Sequence, residues 1–402
     1  MGDVKKTAVI MSGGGARAAY QVGVLKAVAR ILPGGQPNPF PIICGSSAGA
    51  INAAALAIYA SNFQGAVRRL ERVWGNFHVH HVFRTDTGGM LRNWAKWLTA
   101  LVAGGMGKHN PAALLDRQPL RVLLERYLPS ERIQQSIDAG LVEALNITCS
   151  GYTSGQSVSF FQGRPELVPW RRASRVGVPT TLTVDHLMAS SAIPLVFEAV
   201  RINREYFGDG SMRQIAPMSP ALHLGADRVL VIGVRQETNG HAPRPVEQAE
   251  YPSLAQIGGH VLASIFLDAL EADLERLRRI NETVRLISPE QRAAASGRSA
   301  HLRPVESLLI APSQNIGEIA VRHKQHFPLG VRRLLRGIGA WQRSGGDLLS
   351  YLLFEQPFTR ELIELGYADA MRRRDEIEAF FAGDEQLQAA APPLGQRLAS
   401  EG

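Results

Sequence analysis

The stretch PIICGSSAG, residues 41–49, predicts the fold of this 402-residue chain. Its apolar first half is typical of a short buried strand, and the alanine-rich residues that follow to about Tyr59 predict a helix. Between them lies the pattern Gly45-x-Ser47-x-Gly49. The small residues allow a sharp turn on which a serine hydroxyl stands clear of a sheet, and the helix N-terminus favours negative charge there. Ser47 is therefore a candidate nucleophile, with an ordinary strand-to-helix turn as the alternative.

A second unit of the same kind comes earlier in the chain. An apolar run at residues 7–11 ends in a glycine loop, and apolar residues then recur at helical spacing to Leu32. The backbone N–H groups of Gly13, Gly14 and Gly15 can bind an anion, either a phosphate or an oxyanion. The phosphate-loop and dinucleotide-binding spacings are not matched. Arg17, just inside the helix, would add positive charge.

The remaining pattern predicts an α/β sheet with helical additions. We expect a hairpin-like pair at residues 145–150 and 157–162, strands at 197–202, 205–207, 228–234 and 307–311, a short helix at 184–191 and a long amphipathic helix at 254–284. The predicted domains are a catalytic domain at 5–312 with a helical insertion at about 74–132, a C-terminal helical extension at 313–384, and a disordered tail at 385–402.

A serine nucleophile needs a base. Asp209 lies between Gly208 and Gly210 at a predicted strand end, and a carboxylate can act as a base when its pKa is raised toward neutrality. The local sequence by itself favours a turn-forming aspartate. The histidines considered instead do not follow a strand in a tight loop, as the base of an α/β-hydrolase would. They are His223, His241, His260 and His301.

Composition and charge limit the partners. The net charge of +8 and the pI of about 9.8 suit an anionic partner or solubility alone. No nucleic-acid motif accompanies the basic residues, so we expect no nucleic-acid partner.

The absence of a secretory signal and of an 18-residue apolar run predicts a cytoplasmic protein. The apolar stretch at 91–102 is interpreted as a lid or interfacial helix, or equally as a packed helix. The basic stretch at 322–343 suits anionic headgroups, although a solvated face is favoured.

Two further clusters have simple interpretations. Cys44 and Cys149 lie in strand-like runs and are predicted to be buried free thiols. His78, His80 and His81 could be metal ligands, but no acidic or cysteine partner follows at ligand spacing, so a solvated or capping cluster is favoured. We expect no metal and no cofactor.

Four ordered blocks together resemble those of the bacterial patatin-like phospholipases. They are Gly13-Gly14-Gly15-Ala16-Arg17, Gly45-Ser46-Ser47-Ala48-Gly49, Ala189-Ser190-Ser191-Ala192-Ile193-Pro194 and Asp209-Gly210. The resemblance covers about residues 5–235, and extends more weakly through 254–284 and 351–369. Two positions depart from the commonest pattern: Ala18 stands where a glycine often follows the arginine, and Ser211 where glycine or alanine often follows Asp-Gly. These departures leave the substrate preference open.

The resemblance implies a three-layer α/β sandwich around a mostly parallel sheet. It implies a Ser–Asp dyad without histidine, in which Ser47 is the nucleophile and Asp209 the base. By the same resemblance Gly13, Gly14 and Gly15 form the oxyanion hole, and Arg17, Gly45, Gly49 and Gly210 support the site. The implied activity is hydrolysis of acyl esters in phospholipids or other lipids, without a metal. A thioesterase or acyltransferase on the same dyad, or a non-catalytic lipid-binding module, remains an alternative.

Overall fold

The computed structural model describes residues 5–84, 115–194, 196–236, 253–266, 268–288, 303–337, 339–341 and 345–382. Several predictions fall outside these ranges and stay predictions. They concern most of the insertion, including the apolar stretch at 91–102, and the tail at 385–402. Two of the histidines considered as bases, His241 and His301, also lie outside the described residues.

The described residues form one sheet of ten strands. The strands are β1 Thr7–Met11, β2 Ile42–Ser46, β3 Ala144–Gly151, β4 Ser157–Gly163, β5 Trp170–Arg172, β6 Arg175–Pro179, β7 Val200–Ile202, β8 Glu205–Asp209, β9 Arg228–Ile232 and β10 Glu306–Ile310. Strands β10, β9, β1, β2 and β3 pair in that order and are parallel. Beyond them, β3 pairs antiparallel with both β4 and β8, β4 pairs parallel with β6, and β5 and β7 pair antiparallel with β6 and β8.

Helices surround this sheet. They are α1 Ala19–Ile31, α2 Ala48–Ile58, α3 Phe63–Trp74, α4 Val79–Val82, α5 Gln118–Tyr127, α6 Glu131–Asp138, α7 Val184–Ser190, α8 Ser219–His223, α9 Leu254–Phe266, α10 Asp268–Arg285, α11 Ile316–His323, α12 Leu329–Gly337, α13 Gly346–Leu352, α14 Gln356–Arg372 and α15 Arg374–Phe381. Short 3-10 turns cover Gly15–Ala18, Gly210–Arg213 and Lys324–His326. None of the described helices is long and apolar enough to cross a membrane.

The alternation of side chains along the strands builds two cores. Val9 and Met11 of β1 face one core, which contains α1, α2 and the C-terminal helices. Ala8 and Ile10 face the second core, which contains α8 and α10. Both faces of β1 are therefore buried, which explains why its sequence is a continuous apolar run and not an alternating one. The α/β fold with a central, mostly parallel sheet and helices on both faces is confirmed.

The predicted elements are found, with shifted ends. The strand predicted at 197–202 begins only at Val200, and Phe197 belongs to the wall of a cavity described below. The long helix predicted at 254–284 corresponds to α9 and α10, on either side of residue 267. Cys44 and Cys149 are buried free thiols, as predicted.

The C-terminal helices share the first core with the start of the chain. Helix α14 packs along α1, and Tyr20 of α1 donates a hydrogen bond of 3.0 Å to the Asp369 carboxylate of α14. In the basic stretch, Arg332 donates to the backbone carbonyls of Gln325 and Phe327, whereas Arg333 and Arg336 are exposed. Helices from opposite ends of the chain thus form one core.

Candidate active site

Ser47 stands on a strained turn between β2 and α2. Its backbone has φ 52 and ψ −129, a conformation that residues with a side chain rarely adopt. The Ser47 N–H donates a 2.9 Å hydrogen bond to Ser190 Oγ, and the Ser190 hydroxyl donates one of 2.6 Å to the Thr148 carbonyl. Ser190 therefore links the turn to β3. Ser190 lies in one of the quoted blocks, but no role was predicted for it from the sequence.

The glycine two residues after Ser47 allows α2 to begin against the end of β1. A Cβ atom at Gly49 would lie 2.2 Å from the Met11 carbonyl oxygen, so no side chain fits there. The same contact sets the start of α2 beside the loop that follows β1. The turn, the helix N-terminus and the glycine loop are thus held together by backbone contacts.

Sheet register brings Asp209 to this turn. Ser46 pairs with Thr148 across β2 and β3, and the next residue of β3, Cys149, pairs with Asp209 of β8. Asp209 is fully buried, its N–H donates to the Ala192 carbonyl at 2.9 Å, and its Oδ1 accepts the Ser211 N–H at 3.0 Å. The structure therefore brings together two residues that are 162 positions apart in the sequence.

The Asp209 carboxylate is in an electrostatically unusual position. Burial raises its pKa to about 6, while the Ser47 hydroxyl, Ser211 and the Arg117 guanidinium oppose that rise. The hydroxyl of Ser47 is near enough to influence the carboxylate, yet Asp209 Oδ2 has no hydrogen-bond partner of ordinary geometry among the described residues. Catalytic hydrogen bonds are often poorly aligned until substrate is bound. A buried, incompletely bonded carboxylate beside a hydroxyl can accept a proton at neutral pH.

The glycine loop begins beside the start of α2, where Gly49 meets the backbone of Met11 and Ser12. Gly15, with φ 57, lines the same cavity as Ser47, and Gly14 packs against Val234. Neither Gly13 nor Gly14 donates its N–H to another described residue. These two N–H groups are therefore candidate donors to an anion.

Arg17 points to the C-terminal helices. Its guanidinium donates to Ser350 Oγ at 2.7 Å, pairs with Asp347 at 2.8 Å and lies 4.3 Å from the centre of the Tyr351 ring. The side chain is buried, with 3% exposure. The arginine predicted to support the site therefore ties the glycine loop to α13.

Arg117 is a site residue that the sequence did not reveal. It is only 5% exposed, and its guanidinium donates to the carbonyls of Met188 and Glu198 at 2.8 and 2.6 Å and to Ser191 Oγ at 3.2 Å. Burial lowers its pKa to about 10, and the Asp209 carboxylate acts in the opposite direction. The only sequence signal is a lone arginine before a helix, which is ordinary for a surface residue.

An apolar cavity opens from Ser47. Its lining includes Ser191 and Ile193 of the third sequence block, Phe197 just after that block, and Phe354 of the C-terminal region. The cavity continues between α2, α3 and α5, where most lining side chains are aliphatic or aromatic and two, Arg69 and Arg72, are charged. Such a space excludes water and suits a hydrocarbon chain.

The histidines lie in structural positions. His223 stacks on Trp170 with ring centres 4.9 Å apart, and His260 is exposed on α9. The His78 ring Nδ1 lies 2.8 Å from a Glu355 carboxylate oxygen. The backbone N–H of His78 donates to His81 Nδ1 at 3.1 Å, which is the predicted capping arrangement. In the described part of the chain, no group of three or more suitable side chains could hold a metal ion.

Comparison with known proteins gives one family. The family model described as Patatin-like phospholipase matches residues 9–222, more than half of the chain. This range contains all four quoted blocks. A search of curated proteins gives no match.

Two solved structures are similar to the chain at low identity. One is VipD from Legionella pneumophila, with 12% identity and a TM-score of 0.34 over 93% of this chain and 67% of that one. The other is human GIVD cytosolic phospholipase A2 in complex with methyl gamma-linolenyl fluorophosphonate, with 13% identity and a TM-score of 0.44 over 96% of this chain and 60% of that one. The chain thus spans about two thirds or less of either protein.

Proposed function

The chain belongs to the patatin-like phospholipase family, and we propose that it is a serine lipid acyl hydrolase that acts through an acyl-enzyme. The observation that carries this proposal is the buried Asp209 carboxylate, with a raised pKa and one unbonded oxygen, beside the Ser47 hydroxyl at one end of an apolar cavity. The family supplies the class of substrate, and the cavity supports an ester with an apolar acyl group.

In the first half of the proposed reaction, Ser47 is acylated. Asp209 takes the Ser47 hydroxyl proton as Oγ bonds to the ester carbonyl carbon, and the carbonyl oxygen becomes an oxyanion. The amides of Gly13, Gly14 and Gly15 stabilise that charge, and each such donor contributes about a hundredfold or more in rate. The C–O bond to the leaving alcohol then breaks, and the alcohol takes the proton from Asp209.

In the second half, water removes the acyl group. Asp209 takes a proton from the water as its oxygen bonds to the acyl carbon, and the proton passes to Ser47 Oγ when the acid leaves. The buried surroundings assist both halves, because a carboxylate with a pKa of about 6 is ionised at neutral pH and is a stronger base than an ordinary aspartate.

The strained turn supports the same assignment. Its geometry is maintained by Ser190, which binds the Ser47 N–H, and by the close approach of α2 to β1. A nucleophile fixed before substrate arrives avoids part of the entropic barrier to reaction. Arg117 holds Ser191 and the neighbouring carbonyls that form the adjacent wall, and we assign it a positioning role.

Covalent labelling with a fluorophosphonate probe tests the dyad. We expect the native protein to be labelled, Ser47→Ala to be unlabelled, and Asp209→Asn to react about a hundredfold or more slowly, because general-base assistance contributes that much. The matched control is His223→Ala, since His223 is stacked on Trp170 outside the site and should not affect labelling.

Two outcomes would contradict the proposal. Labelling that persists in Ser47→Ala would exclude Ser47 as the nucleophile, and equal rates for Asp209→Asn and the native protein would exclude Asp209 as the base. Release of fatty acid from phospholipid and triacylglycerol dispersions would then identify the preferred lipid. Addition of a competing alcohol or thiol distinguishes hydrolysis from acyl transfer.

A further inference from the structure

The cavity that begins at Ser47 follows one face of helix α2. Of this helix and the residue after it, Ala48, Ile51, Ala55 and Tyr59 line the cavity. Their spacing of three or four residues places them on a single side of the helix. Since α2 starts directly after Ser47, the cavity leads from the candidate nucleophile along the helix toward its C-terminal end.

Burial along α2 supports this direction. All residues of α2 are buried except Ile51, and Tyr59 beyond it is likewise only partly buried. Both of these residues line the cavity. The partly exposed side chains of this segment therefore lie along the cavity, and its other side chains are buried by packing. With a rise of 1.5 Å per residue, the 11 residues of α2 span about 16 Å. The cavity is therefore a channel long enough for an extended hydrocarbon chain.

Most of the channel wall is formed by apolar side chains that pack on one another. On one side the rings of Phe77 and Phe354 both stack on Trp74 and pack against each other, with ring centres between 5.2 and 6.4 Å apart. Helix α5 contributes Leu120, Leu123 and Leu124 on another side. At Ala48 and Ala55 the helix carries only methyl groups, which leaves width for a chain beside it.

Tyr59 stands at the end of the channel away from Ser47. Its hydroxyl donates a 2.8 Å hydrogen bond to the backbone carbonyl of Tyr127, which also lines the channel. The Arg69 and Arg132 guanidinium groups lie 4.8 and 6.0 Å from the centre of the Tyr59 ring. These contacts join Tyr59 to three neighbouring elements and place its ring in the channel wall.

We infer that Tyr59 limits the length of the acyl chain that this channel accepts. The inference rests on the proposed function and adds to it a residue that sets the chain-length preference. A chain attached to Ser47 extends past Ala55, whose methyl group allows passage, and ends at the Tyr59 ring. The mostly aliphatic and aromatic lining favours an apolar chain, and the two charged lining residues, Arg69 and Arg72, lie on α3.

The first experiment compares chain lengths. We measure kcat/KM of the native protein, Ala55→Phe and Tyr59→Ala with p-nitrophenyl esters of butanoic, octanoic, hexadecanoic and longer acids. Ala55→Phe should lower the ratio of hexadecanoate to butanoate hydrolysis by about tenfold or more, since a pocket misfit of one or more methylene groups has at least that effect. Tyr59→Ala should move the preferred chain length upward. Tyr59→Phe, which keeps the ring, is the matched control and should keep the native preference.

A purely structural role for these residues gives a different result. It would change the rates with all esters by the same factor, and that outcome would overturn the inference. Ala55→Leu provides a smaller obstruction in case the phenylalanine prevents folding, and it should shift the ratio in the same direction.

A second measurement is independent of catalysis. Calorimetric binding of hexadecanoic acid to Ser47→Ala and to the Ser47→Ala, Ala55→Phe double variant should show at least about tenfold weaker binding by the double variant. Equal binding would overturn the channel assignment even if the native protein is an active hydrolase. If no ester is hydrolysed while binding behaves as expected, the proposed function fails and the channel assignment stands.

Discussion

The two ends of helix α2 differ in how they are held in place. At the N-terminal end, Ser47 is strained and buried, and Gly49 meets the backbone of β1 with no room for another atom. At the C-terminal end, Tyr59 is partly exposed and is held by one hydrogen bond and two arginine contacts. The first end is fixed by backbone and the second by side chains.

This difference has a consequence for substitutions. Backbone contacts cannot adjust locally, because Met11 and Gly49 belong to a central strand and to the helix packed on it. Side-chain contacts at the edge of the molecule can rearrange or be replaced by water at small cost. We therefore expect substitutions near Ser47 to lower both stability and activity strongly. Substitutions near Tyr59 should change the substrate selectivity and have small effects on stability.

The largest effect is expected for Gly49→Ala. The added methyl group would lie 2.2 Å from the Met11 carbonyl oxygen, so α2 must move away from β1. We expect the free energy of unfolding to fall by about 3 kcal/mol or more, as for severe overpacking, and probe labelling at Ser47 to be lost. Urea unfolding and fluorophosphonate labelling measure the two effects.

A glycine without close neighbours provides the control. Gly258 lies in α9, and a Cβ atom there would meet nothing within 4 Å. Gly258→Ala should be neutral or stabilise by up to about 1 kcal/mol through helix propensity. Similar destabilisation by both substitutions would show that the turn at Gly49 is no more rigid than an ordinary helix.

The ionised form of the Asp209 carboxylate should be required for activity and should lower the free energy of unfolding. As the base must be ionised, kcat/KM of the native protein should fall about tenfold per pH unit below a pKa of about 6. The carboxylate costs stability when it is ionised in the core, because its pKa is higher in the folded state than in the unfolded chain. This cost is absent below the unfolded pKa of 3.8 and complete above about 6.

Asp209→Asn tests that linkage. Above pH 6 the variant should be more stable than the native protein by up to about 3 kcal/mol, the equivalent of a pKa difference of about two units. The gain should shrink as the pH falls from 6 to 4. Urea unfolding at several pH values measures it, and a gain independent of pH would mean that Asp209 is not an isolated buried charge.

The smallest effect is expected at the other end of α2. Tyr59→Phe removes the hydrogen bond to the Tyr127 carbonyl but keeps the ring. Because water can replace this bond at an exposed site, the free energy of unfolding should fall by no more than about 1 kcal/mol. Thermal unfolding measures the change. A loss as large as that of Gly49→Ala would remove the contrast between the two ends.

The sequence predicted the first two strand, loop and helix units well, because their patterns are local. The apolar runs of β1 and β2, the glycines and the alanine-rich helix each indicate their own conformation. Asp209 was different: its position at a strand end made it a candidate base, its immediate neighbours favoured a turn, and the resemblance of four ordered blocks decided between the two. The assignment of Ser47 and Asp209 as a dyad remains a prediction that the labelling experiment tests.

Other features of the site carried no recognisable signal. No local pattern distinguishes Arg117, Ser190 or Tyr59. Each of them forms hydrogen bonds with residues that lie 68 to 143 positions away in the sequence. Arg17 was expected to act as a charge beside the glycine loop, and the structure directs its guanidinium to Asp347 and Ser350. Contacts of this kind depend on packing between elements, which local patterns do not encode.

The sequence by itself determined which residue types follow which strands, because turns, helix starts and buried strands are set by neighbours a few positions apart. Only the tertiary structure decided which of these residues meet. The register of β3 with β8 carries Asp209 to Ser47, and the packing of α2 against α3 and α5 leaves a channel to Tyr59. Both arise from contacts between distant segments, whose geometry is fixed when the whole core is assembled.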